Sequence, residues 1–266
     1  MDRVFRVLEE GKTLYAVERD GELRGATLTD PDAGIFGGYQ PDAPIRGGFE
    51  RVKILAPVAP SKIVCVGLNY KDHAAEQGKP LPAEPLIFIK PSTAVIGPGD
   101  AITLPPGVGR VDYEAELGLV IGRRAHRVAS AKAWDYIGGL ICFNDVTARD
   151  LQKKEPSYTR CKGFDTFAPI GPCIAISSHN GSRAPRTPLS VEGWVNGQRR
   201  QASTTAHLIF SIEYIIEFIT FVMTLEPGDI VATGTPAGIG PLASGDTVTV
   251  KVEGVGELTN RVRAED

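Results

Sequence analysis

The chain has 266 residues, of which 42% are hydrophobic and 23% charged, and its net charge at pH 7 is −3. This composition is typical of a globular protein that can bury a core in one large domain, or in one large and one small domain. The small net charge, and the lack of a basic cluster interleaved with aromatic residues, argue against a nucleic-acid partner.

The cysteines and the N-terminus predict a cytoplasmic protein. Four cysteines occur without a Cys-x-x-Cys pair, and three lie in or beside apolar runs, where a free thiol behaves as a small hydrophobic group. The first residues lack the charged and then apolar pattern of a signal peptide. The glycosylation sequon at 180–182 is therefore expected to be unused.

The first 55 residues predict a small N-terminal β domain. Three apolar segments, RVFRVLEE, TLYAVERD and ELRGATL, are separated by Gly11 and Gly21, as in a β meander. The glycine- and proline-rich stretch DAGIFGGYQPDAPIRGG follows them and is predicted to be a linker.

Residues 56–266 predict a second, mainly β (α+β) domain. The predicted strands are KIVCVGL, LIFIK, EAELGLVIG, GGLICFND, LSVEGWVNG, DIVATG and DTVTVKVEG. The predicted helices are YKDHAAEQ, SAKAWDYIG, TARDLQKK and a long apolar helix at 205–224. This order is too irregular for a doubly wound sheet, and Gly-x-Gly-x-x-Gly is absent.

The apolar helix is the one segment that resembles a membrane span. Glu213 and Glu217 lie within it, and two carboxylates in hydrocarbon would cost several kcal/mol. We therefore expect a largely buried helix with one polar edge, and no membrane partner.

Glu114 and Glu116 are candidate metal ligands. In the predicted strand EAELGLVIG they lie on one face, about 7 Å apart, because successive strand side chains alternate. Such a pair on a solvent-exposed face has no function. The apolar residues that follow drive this strand into a core, where unpaired carboxylates are costly and a cation would stabilise them.

Asp145 ends the next apolar strand, GGLICFND, and precedes the helical pattern TARDLQ. One interpretation is a helix N-cap. The other is a third ligand, because three carboxylates and water form an oxygen-only site that suits Mg²⁺ or Mn²⁺, or Ca²⁺ in a larger cage, and does not favour zinc.

His73 and Glu76 form a candidate general base. They are three residues apart in the predicted helix YKDHAAEQ and share one face. A carboxylate beside an imidazole selects its tautomer and stabilises the cation that forms when it accepts a proton. An exposed pair on a surface helix would have no such role.

The run from Lys62 to about Gly240 resembles the fumarylacetoacetate hydrolase family. This run makes up some two-thirds of the chain, and seven segments occur in it in the family's order: NYKDHAAE, IFIKPSTAVIGPGD, VDYEAELGLVIG, NDVTARDLQ, KGFDTFAPIGP, VNGQRRQ and LEPGDIVATGTPAGIG. The resemblance implies a mixed β-roll catalytic domain, a smaller N-terminal domain and a homodimer.

The resemblance also implies roles for particular residues. Glu114, Glu116 and Asp145 would hold Mg²⁺ or Mn²⁺. Lys162, in CKGFDTF, would be a catalytic cation that contacts the substrate. A solvated loop lysine is the alternative for Lys162.

Further residues are implied to line the pocket and its lid. Arg149 and Gln152, from TARDLQ, and Thr235, from TGTPAG, would bind substrate. A structural ion pair is the alternative for Arg149, and the shape of a glycine–proline turn is the alternative for Thr235. His73 and Glu76 match a lid that activates water in hydrolytic members.

The implied function is that of a metal-dependent enzyme that acts on a C–C bond of small 2-oxo acids through an enolate which the metal stabilises. Acylpyruvate-type hydrolysis or oxaloacetate-type decarboxylation is expected. One alternative is an isomerase or decarboxylase of unsaturated dicarboxylates from aromatic catabolism. An alternative of another class is a non-catalytic protein that binds a ligand and has a structural metal.

Overall fold

The N-terminal strands form the predicted meander. In the computed structural model, which describes residues 1–176, 185 and 187–265, strands β1, β2 and β3 are joined by two-residue turns. Gly11 and Gly21 have φ of 80° and 78°, and the residue before each also has a positive φ. Such turns match the twist of the flanking strands and require positive φ at both positions. The sequon at 180–182 lies outside the described residues.

The described residues are organised mainly as strands, which confirms the expected fold class. The strands are β1 Asp2–Glu9, β2 Lys12–Arg19, β3 Glu22–Leu28, β4 Tyr39–Pro44, β5 Lys53–Ile54, β6 Ile63–Gly67, β7 Leu86–Lys90, β8 Val95–Ile96, β9 Ala101–Leu104, β10 Val111–Tyr113, β11 Ala115–Ile121, β12 Ile137–Asn144, β13 Thr147–Ala148, β14 Ala168–Ile176, β15 Ser190–Val195, β16 Gln198–Thr204, β17 Ile230–Ala232, β18 Gly240–Pro241, β19 Thr247–Val252 and β20 Gly256–Ala264.

Helices are few and short. The α-helices are α1 Lys71–Glu76, α2 Arg149–Lys154, α3 Thr159–Lys162 and α4 Ile212–Val222. Single 3₁₀ turns lie at Gly34–Gly37, Gly48–Glu50, Ser92–Ala94, Ser130–Asp135 and Thr205–His207.

The strands form one large sheet and two smaller ones. The large sheet has the order β4-β3-β2-β1-β14-β12-β11-β17-β6-β7, with β5 beside β1 and β8 beside β14. A second sheet, β16-β15-β19-β20-β9, packs against strands β11, β12 and β14. The third, β13-β10-β18, lies where the chain enters β11. Strands β11, β12 and β17 are buried on both faces, so the core covers both sides of the large sheet.

The N-terminal meander continues the large sheet, because β1 pairs antiparallel with β14. Strand β14 has no counterpart among the predicted strands, and β4 lies in the stretch predicted to be a linker. The domain boundary near residue 55 and the homodimer stay predictions.

Two helix predictions differ from the structure. The segment SAKAWDYIG forms a 3₁₀ turn, and the apolar helix begins only at Ile212, because Ser211 Oγ caps it by accepting from Tyr214 N at 3.3 Å. Its exposed edge carries Tyr214, Phe221 and Val222 and is therefore apolar as well as acidic. Among the described residues, no helix is both long and apolar enough to span a bilayer.

Candidate metal and active site

The three predicted carboxylates converge at one end of β11 and β12. The predicted strand EAELGLVIG begins one residue later in the structure, at Ala115, and Glu114 lies between β10 in the third sheet and β11 in the large sheet. Strands β11 and β12 pair with Ala115 opposite Asn144, so Asp145 follows directly beside Glu114. One carboxylate oxygen each from Glu114, Glu116 and Asp145 lies within 4.8 Å of the others, and all three side chains are buried.

Buried cations contact two of these carboxylates. Lys162 Nζ donates to Glu114 Oε2 at 2.8 Å and to Asp145 Oδ2 at 2.6 Å. Arg149 Nη2 donates to Glu114 Oε1, and Lys90 Nζ donates to Asp145 Oδ1 at 2.5 Å. Lys162 is therefore a buried residue paired with two carboxylates and not a solvated loop lysine.

Glu116 accepts a hydrogen bond from no cation in the part of the chain that the structure describes. Among the described residues, one hydrogen bond reaches its side chain, from Gly234 N to Oε2 at 2.8 Å. Burial raises the pKa of Glu116 well above its usual value, and the charges of Asp145 and Glu114 raise it further. Burial would also raise the pKa of Glu114, but Lys162 and Arg149 outweigh it and hold that pKa well below its usual range.

The donor set of the site fits a divalent cation. Four buried carboxylates, Asp112, Glu114, Glu116 and Asp145, meet the buried cations Lys90, Arg149 and Lys162 and the exposed Arg110, which donates twice to Asp112. Of these four carboxylates, Glu116 is the one that accepts from none of these cations, and the oxygen-only donor set suits a hard ion. The Tyr70 hydroxyl is also buried without a partner among the described residues, and burial and the charge of Glu116 raise its pKa. A cation with its bound water would complete these unmatched groups.

Helix α1 places an imidazole at this pocket. His73 is 5% exposed, and its Nδ1 lies 3.0 Å from Glu76 Oε2. Glu76 accepts a second bond at Oε1 from Gly238 N at 2.9 Å, and the Tyr113 hydroxyl donates to Gly238 O at 2.9 Å. The predicted pair is formed, and the His73 ring lies inside the pocket and not on an exposed surface.

The remaining predicted residues also lie in the pocket wall, but their polar groups are partly committed. Arg149 donates through Nε to Asp112 Oδ2 at 2.9 Å and through Nη1 to Gln152 Oε1 at 2.5 Å. Thr235 Oγ1 donates to Ala115 O at 2.9 Å and accepts from Gln201 Nε2 at 2.8 Å. Arg149 therefore holds the carboxylates of Asp112 and Glu114, and Thr235 holds the backbone at Ala115. Contact of Arg149 and Thr235 with the substrate stays a prediction.

Eight of the nine predicted site residues line one pocket, and Glu76 is bonded to a member of it. The eight are His73, Glu114, Glu116, Asp145, Arg149, Gln152, Lys162 and Thr235. The enclosed space is about 50 Å³, small compared with the roughly 300–1,000 Å³ of typical ligand pockets. Side chains of the wall must therefore move before an organic substrate can enter.

Sequence reasoning missed several residues of the site. Lys90 is fully buried, Phe88 lies under Lys162 with Nζ 5.1 Å from the ring centroid, and Asp112 anchors Arg149. Gln77 bonds the free ring nitrogen of His73. A usable signal existed for Lys90: a lysine that ends the apolar run LIFIK on the same strand face as Phe88.

Fold and site together define a mainly β protein with a buried carboxylate triad suited to a divalent cation. Residues 62–263 match the family described as fumarylacetoacetate (FAA) hydrolase C-terminal. The chain belongs to the fumarylacetoacetate hydrolase family.

Three similar proteins cover most of the chain. An uncharacterised protein of Archaeoglobus fulgidus is 49% identical over 236 residues, 89% of this chain and 90% of its own. Oxaloacetate tautomerase YisK of Bacillus subtilis is 40% identical over 226 residues, 80% of this chain and 74% of its own. The crystal structure of 2-hydroxyhepta-2,4-diene-1,7-dioate isomerase from Mycobacterium marinum has a TM-score of 0.87 and 38% identity, and covers 100% of this chain and 99% of that one.

Proposed function

We propose that this protein is a divalent-metal-dependent enzyme that moves a proton between carbon and oxygen in the enol and keto forms of small 2-oxo acids. The observation that carries the proposal is one pocket holding both an imidazole and a carboxylate triad that can bind a cation. Glu114, Glu116 and Asp145 would hold Mg²⁺ or Mn²⁺. Bound there, the ion would supply Lewis-acid polarisation of the 2-oxo carbonyl.

The chain's own residues would carry the proton. His73 would take a proton from the carbon next to the carbonyl as the C–H bond breaks, and the electron pair would move to the carbonyl oxygen. Glu76 would stabilise the resulting imidazolium, and delivery of that proton from His73 to the oxygen would give the enol; the same steps in reverse, with the proton taken from the enol hydroxyl and delivered to carbon, would give the keto form. Lys162 Nζ, between Glu114 and Asp145, would add positive charge near the developing oxyanion.

The names of two relatives support this reaction class. Each describes a tautomerase or isomerase, and a 2-hydroxy-2-enoic acid is the enol of a 2-oxo acid, so both substrates belong to one chemical class. For this chain, 2-oxo dicarboxylic acids with four to seven carbons are the first substrates to test.

Cleavage of a C–C bond is the second candidate, either acylpyruvate-type hydrolysis or oxaloacetate-type decarboxylation. The observation in its favour is the His73–Glu76 pair, which can activate water as well as take a proton from carbon. Both candidates use the same enolate. They differ in how it forms: His73 takes a proton from carbon in tautomerisation and from water in hydrolysis, whereas decarboxylation forms the enolate by loss of CO₂ without a base.

One panel of assays tests both candidates. Purified protein is stripped with EDTA, reloaded with Mg²⁺ or Mn²⁺, and offered oxaloacetate, acetylpyruvate, fumarylpyruvate and 2-hydroxyhepta-2,4-diene-1,7-dioate, with the products identified by NMR. We expect the enol absorbance to disappear without loss of carbon from the substrate. EDTA should abolish this activity, and Mg²⁺ or Mn²⁺ should restore it. Full activity after exhaustive metal removal would refute metal dependence, and release of pyruvate or CO₂ would favour C–C cleavage.

A further inference from the structure

Gln77 contacts the ring nitrogen of His73 that Glu76 does not contact. It is the residue directly after α1, and its Nε2 lies 2.7 Å from His73 Nε2. Gln77 also lines the pocket together with His73 and the three carboxylates. No role for Gln77 follows from the proposed reaction alone.

The directions of the two hydrogen bonds follow from the two partners. The Glu76 carboxylate can only accept, so His73 Nδ1 carries a proton. The amide –NH₂ of Gln77 can only donate, so His73 Nε2 accepts through its lone pair. The lone pair that would take a proton from the substrate is therefore already bonded to Gln77.

We propose that Gln77 is a positioning residue that holds His73 Nε2 through this bond and that substrate displaces it before His73 accepts a proton. The inference rests on the proposed function. The Nε2 lone pair accommodates one donor, so the C–H group of a substrate and the amide of Gln77 cannot share it.

The surroundings of Gln77 allow this exchange. Its side chain is only partly buried, and its backbone ends α1 just before Gly78, which has φ of 61°. The space of about 50 Å³ in the pocket is too small for an organic acid, so some side chains of the wall must leave. Rotation of Gln77 would enlarge the pocket and free Nε2 in one step.

The first test separates KM from kcat. Gln77→Met keeps the length of the side chain and removes the donor, and Ala75→Met, on the exposed side of α1, is the matched control. We expect Gln77→Met to lower KM for the best substrate of the panel about two- to tenfold, the range that corresponds to one net hydrogen bond, with kcat unchanged. Ala75→Met should change neither.

The second test does not depend on turnover. The chain has four histidines, so the ¹⁵N ring signals of His73 in the metal-free protein can be identified by their loss in His73→Gln. In the wild-type protein we expect a protonated Nδ1 and an unprotonated, hydrogen-bonded Nε2. Gln77→Met should move the Nε2 signal and leave Nδ1 protonated, whereas Gln77→Glu, which can only accept, should put a proton on Nε2.

The outcomes that overturn the inference are distinct from failure of the proposed function. A higher KM or a lower kcat in Gln77→Met would make Gln77 a substrate contact, and an unmoved Nε2 signal would show that the bond is absent; either overturns the inference. If the wild-type protein turns over no 2-oxo acid, the proposed function fails, and the ring signals alone decide whether Gln77 holds His73.

Discussion

Glu114 and Glu116 have the same side chain two residues apart, yet replacing each by glutamine should have opposite effects on the metal-free protein. Glu116 lies near two carboxylates and accepts from no cation within the described ranges, whereas Glu114 accepts from both Lys162 and Arg149. In Glu116→Gln the amide oxygen can still accept from Gly234 N. In Glu114→Gln one buried cation faces an –NH₂ group instead of an oxygen.

The magnitudes follow from these contacts. Two unit charges 4.8 Å apart repel by about 3.5 kcal/mol at an effective dielectric constant near 20, and attraction to Lys162 offsets part of that repulsion. We expect Glu116→Gln to raise the free energy of unfolding by up to about 2 kcal/mol, with no gain if Glu116 already holds a proton. Glu114→Gln should lower it by about 3–5 kcal/mol, the cost of breaking a buried ion pair.

Thermal unfolding in EDTA and then in MnCl₂ measures both effects. Each kcal/mol corresponds to about 2–4 °C in Tm for a domain near this size. Ligand binding to the folded state raises Tm, so Mn²⁺ should stabilise the wild-type protein, and this shift should shrink in both variants because each loses an anionic ligand. Equal destabilisation by the two variants in EDTA, or a full Mn²⁺ shift in Glu116→Gln, would refute the reasoning. A metal that only ties strands together would instead leave the wild-type protein unfolded in EDTA.

Three further predictions concern single residues. His73→Ala should lower kcat for proton transfer at least about a hundredfold, as expected for loss of a general base, and Glu76→Gln should lower it less. A change in KM alone in steady-state kinetics on the best substrate would contradict this. Lys90→Met should lower the free energy of unfolding of the metal-free protein by about 3 kcal/mol, because Lys90 is fully buried against Asp145. An unchanged midpoint of urea unfolding would show that the pair contributes nothing. Asp229→Asn should lower the free energy of unfolding at pH 7 by about 1.5–3 kcal/mol, the range for a hydrogen bond to a charged group, and flatten its acid dependence. Burial would raise the pKa of Asp229, but bonds from Glu226 N, Lys62 and Ser61 lower it. The stabilisation by Asp229 is therefore complete above the unfolded pKa of about 4 and is lost as the pH falls through the folded pKa. Parallel curves of stability against pH for the two proteins would contradict this.

Local patterns predicted much of the fold. The meander, the buried strands β11 and β12 and helix α1 were all recognisable, because alternation, glycine turns and helical spacing are properties of a few neighbouring residues. The predicted helix at 205–224 was too long, because apolar content alone does not show that Ser211 caps its start. Strand β14 was missed, although its burial on both faces places it inside the large sheet.

The sequence by itself determined which carboxylates are candidates for a metal and which imidazole is a candidate base, since these follow from residue types at short spacings. Only the tertiary structure decided which of these carboxylates are paired with a buried cation. Lys90 reaches Asp145 because β6 pairs with β7 at the edge of the large sheet, and Lys162 and Arg149 donate to Glu114 and not to Glu116. Burial makes each of these charges costly unless it is matched, and matching depends on contacts between residues far apart in the chain.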